Sequence, residues 1–127
     1  MIVVDASVLI AHLHPVDEHH AAATDFLIAA TDQVLLIHPL NLAEVLVGGA
    51  RSGRVLELAN DLTAIGIRAA PHDDSEPLRL AELRASTGLR LPDCCALDTA
   101  MTQHAPLATF DAALARAAQQ HRIDVLP

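Results

Sequence analysis

Short apolar runs alternate with longer segments of helical periodicity from one end of the chain to the other. Residues 2–4 and 34–37 are continuous and apolar, as is typical of strands buried on both faces of a parallel sheet. Weaker patterns of the same kind lie at residues 67–70, 107–109 and 123–126. We therefore expect five short strands.

Between these runs, apolar residues recur at the spacing of one helix face. Residues that end or begin helices mark their limits: Pro15, Gly66 and Gly88 favour ends, Pro92 suits a first turn, and Asp111 suits a cap. The expected helices cover residues 6–14, 17–30 with Asp17 as cap, 40 to between 48 and 53, 55–65, 75–87, 92–104 and 111–120.

Strands and helices that alternate without a repeat or linker predict one α/β domain over residues 1–127. The expected fold is a three-layer α/β/α sandwich around a central, mainly parallel sheet. Because crossovers between parallel strands are right-handed, helices cover both faces and the carboxyl ends of the strands meet along one edge. Ligands of such sheets bind at that edge.

The charge balance narrows the possible functions. The chain has sixteen acidic and eight basic residues, it contains no lysine, and its net charge is −8. Without an amine, Schiff-base chemistry and the lysine of a P-loop are excluded. A broad basic surface for nucleic acid is also disfavoured.

The apolar runs are too short to cross a bilayer, and Asp5 ends the first of them after three apolar residues. We therefore expect a cytoplasmic protein without a membrane segment.

Four acids occupy strand ends or helix starts that this fold would bring to the ligand-binding edge: Asp5, Glu44, Asp93 and Asp111. Each also has a purely structural interpretation. Asp5 and Asp111 suit helix N-caps, Asp93 suits a first turn, and Glu44 could face solvent. If the four converge, each close pair repels by about 4 kcal/mol at an effective dielectric constant of about 20. A divalent cation would remove that repulsion.

Other polar residues carry weaker signals. Asp98 lies about 140° around its helix from Asp93, so we expect it to face solvent. Adjacent Cys94 and Cys95 are interpreted as small buried apolar residues. The eight histidines show no zinc-binding spacing, and most are expected at the surface or in packing.

Taken together, four segments of the chain resemble the PIN-domain nucleases: Val4-Asp5-Ala6-Ser7, Leu42-Ala43-Glu44-Val45, Leu91-Pro92-Asp93 and Ala108-Thr109-Phe110-Asp111. In its length and in the order of the four acids, the chain is similar to the VapC-type toxins of bacterial toxin-antitoxin pairs. The resemblance covers the whole chain.

This resemblance implies an endoribonuclease that depends on Mg²⁺ or Mn²⁺, cleaves RNA with an activated water, and is inhibited by a small VapB-like antitoxin. It implies that Asp5 and Asp93 bind the metal directly and that Glu44 and Asp111 hold it directly or through water. Ser7 and Thr109 would orient these ligands by hydrogen bonds, although Thr109 also suits an ordinary strand. Because the chain is acidic, RNA contact must be local or come from a homodimer that pools its arginines.

Three alternatives remain at this point. A receiver-type phosphoacceptor domain and a phosphatase with Asp5 as nucleophile also use acids at this edge, but both families carry a lysine that this chain lacks. A catalytically silent domain that only binds a partner is not excluded by the sequence.

Overall fold

A single five-stranded sheet forms the centre of the molecule. The structure is a computed structural model that describes all residues 1–127. Every pair of neighbouring strands is parallel, and the strand order is β3-β2-β1-β4-β5. The strands are β1 (Ile2–Val4), β2 (Leu35–Ile37), β3 (Ile67–Ala69), β4 (Leu107–Ala108) and β5 (Val125–Leu126). Each one lies inside the run predicted for it.

Seven helices connect and cover the strands. They are α1 (Ala6–Leu13), α2 (His20–Ala29), α3 (Pro39–Arg51), α4 (Val55–Ala64), α5 (Glu76–Thr87), α6 (Leu91–Gln103) and α7 (Ala112–Gln120). None of them is long and apolar enough to span a membrane.

The two faces of the sheet bury separate cores. Side chains alternate along a strand, so Ile2 and Val4 pack on one face of β1 and Val3 packs on the other. The Ile2 side is filled by α1 to α4, and the Val3 side is filled by α5, α6 and α7. This arrangement confirms the predicted three-layer sandwich.

Most of the predicted helix limits are also observed. Gly88 ends α5 in the left-handed region with φ 71°, which suits a residue without a side chain, and Pro92 lies in the first turn of α6. The prediction for Asp17 was wrong. Its carboxylate accepts the backbone N–H of His19 in the preceding turn, and α2 begins only at His20.

The three central strands set up the ligand-binding edge. Asp5 follows β1, His38 follows β2, and Thr109 follows β4, so all three residues stand at the carboxyl ends of neighbouring parallel strands. The first turns of α1, α3 and α7, which follow these strands, are therefore brought next to the same edge of the sheet.

Candidate metal centre

The four acids predicted from the sequence line one cavity at the carboxyl edge of the sheet. The cavity has a volume of about 170 Å³ and is also lined by Ala6, Ser7, Ile10 and Arg90. Four different elements supply the acids, because Asp5 follows β1, Glu44 lies in α3, Asp93 lies in the first turn of α6, and Asp111 precedes α7. Residues separated by most of the chain thus share one pocket.

Asp5 is held by side-chain hydroxyls and does not cap the helix that follows it. Its side chain makes no capping bond to α1, although the residue stands at the N-cap position. Its Oδ2 atom instead accepts hydrogen bonds from Ser7 Oγ at 2.8 Å and from Thr109 Oγ1 at 3.0 Å. Asp5 is only 4% exposed. The capping interpretation of Asp5 was therefore wrong.

The same two hydroxyls also bind the loop that carries Asp111. Ser7 Oγ accepts the backbone N–H of Phe110 at 3.0 Å, and Thr109 Oγ1 accepts that of Asp111 at 3.0 Å. Since each hydroxyl has one proton and donates it to Asp5, the donor and acceptor roles around both oxygens are fixed. Asp5 and the Asp111 loop are thereby held in one hydrogen-bonded unit.

Asp111 caps α7, as the sequence predicted. Its Oδ1 atom accepts the backbone N–H of Leu114 at 2.8 Å. A carboxylate has two oxygens, so the cap uses only part of its capacity to accept, and the residue also lines the cavity. The structural role and a role in the site are compatible for this residue.

Asp93 shows the electrostatic effect of the cluster most clearly. The pKa of its carboxyl is raised to about 6, first by burial and then by the nearby charges of Asp111, Asp5 and Glu44, with a partial offset by Arg90. Arg90 Nε lies 3.8 Å from Asp93 Oδ2, and the Arg90 side chain is 77% exposed. One exposed cation does not neutralise four carboxylates, so the cavity is a region of negative potential.

Asn41 is a site residue that we did not predict. It is fully buried, and its Nδ2 atom donates to Glu44 Oε2 at 3.3 Å and to the carbonyl of Pro92 at 2.9 Å. It therefore joins α3, which carries Glu44, to the first turn of α6, which carries Asp93. Its Oδ1 atom is buried without a hydrogen-bond partner. A polar residue one turn before Val45, on the apolar stripe of α3, was the available signal.

Asp98 does not face solvent, and that prediction was wrong. It is buried, and its two carboxylate oxygens accept hydrogen bonds from Arg79 Nε at 2.8 Å and Arg79 Nη2 at 3.1 Å. The helical wheel correctly separated it from Asp93. However, α6 is buried almost all round between the sheet and α5, so its other face is also interior.

The donor set around the cavity suits a hard divalent cation. All four acidic side chains offer carboxylate oxygens, which are the ligands that Mg²⁺ and Mn²⁺ prefer. Asp5 Oδ1 and the second oxygen of Asp111 carry no hydrogen bond and are not enclosed, so they remain available in the cavity. The residues present therefore fit such an ion.

Comparison with known proteins identifies a family for this architecture. Residues 2–120 match the family model of the PIN domain. A search of curated protein sequences finds no match.

Several solved structures share the fold, and three of them illustrate the likeness. FitAB bound to an IR36 DNA fragment has a TM-score of 0.73 and 19% sequence identity, over 99% of this chain and 94% of that chain. FitAcB from Neisseria gonorrhoeae has a TM-score of 0.72 and 20% sequence identity, over 100% of this chain and 97% of that chain. PAE2754 from Pyrobaculum aerophilum has a TM-score of 0.61 and 23% identity, over 91% and 84%.

Proposed function

Because this chain belongs to the PIN domain family, we propose that it is an endoribonuclease that depends on Mg²⁺ or Mn²⁺. The observation that carries the proposal is the convergence of Asp5, Glu44, Asp93 and Asp111 on one cavity. The four carboxylates repel one another, and one exposed arginine nearby does not offset that repulsion. Their oxygens are, however, suitable ligands for a divalent cation.

In this proposal Asp5 and Asp93 bind the ion directly, and Glu44 and Asp111 hold it directly or through water. When bound, the ion supplies positive charge to the phosphodiester and makes water more acidic. Ser7 and Thr109 keep Asp5 oriented by donating to its Oδ2 atom, so that its other oxygen points to the cavity. Asn41 positions Glu44 against the start of α6.

Substrate contact must be local because the chain carries a net charge of −8. Arg90 is exposed at the rim of the cavity, where its guanidinium can reach a phosphate that approaches the acids. A homodimer would place a second set of arginines beside the same RNA. We therefore include dimer formation in the proposal.

We further propose that the chain is the toxin of a type II toxin-antitoxin pair. The support is the resemblance of its acidic segments to VapC-type toxins and the likeness of its fold to FitAB and FitAcB. A small VapB-like antitoxin would inhibit it by covering apolar surface and placing an arginine among the acids. Co-purification of a small basic protein with the chain tests this part, and the absence of any such partner would count against it.

Sequencing of RNA ends from cells after a brief pulse of expression tests the nuclease activity. The parent chain should create new RNA ends at defined sites, and Asp5→Asn should create none. Asp32→Asn is the matched control, because Asp32 is exposed and lies outside the cavity. It should cleave like the parent. If the parent creates no new ends, the chain is a silent domain that acts by binding, and if Asp5→Asn creates the same new ends as the parent, Asp5 is not part of the nuclease site.

A further inference from the structure

A second group of metal-binding side chains lies outside the four-acid cavity. It consists of His38 at the end of β2, Glu76 at the first position of α5, and Cys95 in α6. One ligand atom from each of the three residues lies within 4.8 Å of the other two. The side chains of His38 and Glu76 are 12% and 13% exposed, and Cys95 is buried.

We propose that His38, Glu76 and Cys95 bind a transition-metal ion of the Zn²⁺ class. An imidazole nitrogen, a carboxylate oxygen and a sulfur form a borderline-soft donor set that suits Zn²⁺ and Co²⁺ better than Mg²⁺. The four-acid cavity offers only oxygens, so the two sites differ in the ion they select. Three protein ligands also leave a fourth, open position for water.

The charge of the cluster favours a cation. The Glu76 carboxylate contacts the His38 ring and lies close to the Cys95 thiol, so its negative charge attracts a divalent ion to the position between the three ligand atoms. Glu76 also lines a cavity of about 260 Å³, which is lined by His72 and Asp98 as well.

The hydrogen bonds of His38 show which protons must move when a metal ion binds. Its Nδ1 atom accepts the backbone N–H of Leu40 at 3.0 Å, so the ring proton lies on Nε2 and is donated to Glu76. An ion on Nε2 moves this proton to Nδ1 and releases the thiol proton of Cys95 to solvent. Leu40 N–H then loses its acceptor, which makes the Leu40 amide a direct reporter of occupancy.

Cobalt spectroscopy on the reduced chain tests this site. Co²⁺ is titrated into metal-free protein in the presence of excess Mg²⁺, which competes for the oxygen-only cavity. The expected result is a near-ultraviolet thiolate-to-cobalt charge-transfer band that saturates at one ion per chain and disappears when Zn²⁺ is added. The Leu40 amide resonance should shift over the same titration.

The adjacent cysteines give a matched pair of variants. Cys95→Ser should lose the band. Cys94→Ser should keep it, because Cys94 Sγ instead donates to the carbonyl of Leu89 at 3.6 Å. Asp5→Asn should also keep the band, since Asp5 is not a ligand of this ion. The result for Asp5→Asn separates this proposal from the proposed nuclease site.

His38→Asn covers the case in which Cys95→Ser does not fold. Asparagine is a favoured N-cap residue, so α3 retains its cap while the metal loses a ligand. The affinity for Co²⁺ should fall about tenfold or more. Absence of the band in the reduced parent chain, its persistence in Cys95→Ser, or an unchanged affinity in His38→Asn would overturn the proposal.

Discussion

Thr109 donates its hydroxyl to Asp5 Oδ2 at 3.0 Å across a sequence separation of 104 residues. The Thr109 Oγ1 atom itself accepts the backbone N–H of Asp111 at 3.0 Å. One hydroxyl therefore links two acids of the candidate metal centre, and it can do so because β1 and β4 are neighbouring parallel strands. The Thr109 hydroxyl thus has one specific partner as a donor, which is Asp5, and another as an acceptor, which is the N–H of Asp111.

Replacing Thr109 tests this link. Thr109→Val preserves the side-chain shape but removes the hydroxyl, so Asp5 loses a donor and Asp111 N–H loses its acceptor. We expect Mn²⁺ affinity to fall about tenfold and the free energy of unfolding to fall by about 1–2 kcal/mol. Calorimetric titration and thermal melting measure the two effects. Thr109→Ser should retain most of both properties, and equal losses in the two variants would contradict this account.

Asn41→Leu separates positioning from stability. The substitution removes the donor to Glu44 and Pro92, but it also removes a buried oxygen that has no partner. Because the two effects oppose each other, the free energy of unfolding should change by no more than about 1 kcal/mol, while Mn²⁺ affinity falls about tenfold. Asn60→Leu, at an exposed position of α4, is the control. Parallel loss of stability and affinity would indicate a purely structural role.

The stability of the metal-free chain should depend on pH through Asp93. Its pKa is raised from 3.8 to about 6, so between these values the folded chain holds this proton more tightly than the unfolded chain. The tighter proton binding contributes about 2 kcal/mol to the free energy of unfolding. This contribution is fully present below pH 3.8 and is lost as the pH rises through about 6.

Urea unfolding in EDTA from pH 4 to pH 8 measures this effect. Asp93→Asn carries a permanently neutral side chain, so its stability should exceed that of the parent most at the upper end of the range. Added Mg²⁺ should restore the stability of the parent there and should have little effect on the variant. A parent and variant with the same pH profile would show that Asp93 is not perturbed.

Two aspartates that share Arg79 offer a matched test of burial. Arg79 donates to buried Asp98 and to exposed Asp73. Asp98→Ala leaves α5 and α6 without their charged link and should lower the free energy of unfolding by about 1–3 kcal/mol. Asp73→Ala should have little effect, since an exposed pair contributes weakly. Thermal melting compares them, and a larger loss for Asp73→Ala would contradict this ranking.

The layers of the fold were predictable from local pattern. Every residue of Leu35–Ile37 is apolar, which is the pattern expected of a strand that is covered on both faces. Gly88 is suited to the left-handed turn that ends α5. The convergence of the four acids could also be expected, because it follows from parallel strands whose carboxyl ends share an edge.

Partners that come from distant segments could not be predicted in the same way. Asp98 is buried because Arg79, nineteen residues earlier, lies on the helix packed against it, and no local pattern places α5 beside α6. His38, Glu76 and Cys95 meet for the same kind of reason. Asn41 differs, because its position on the apolar stripe of α3 was visible in the sequence, although its partner Pro92 was not.

We propose that Asp5, Glu44, Asp93 and Asp111 hold one divalent cation between them. Calorimetric titration of Mn²⁺ into the parent, Asp5→Asn and Asp32→Asn chains measures whether they do. We predict that Asp5→Asn binds Mn²⁺ about tenfold or more weakly than the parent and that Asp32→Asn binds like the parent. Equal Mn²⁺ affinity in the parent and in folded Asp5→Asn would show that these acids do not form a cation site.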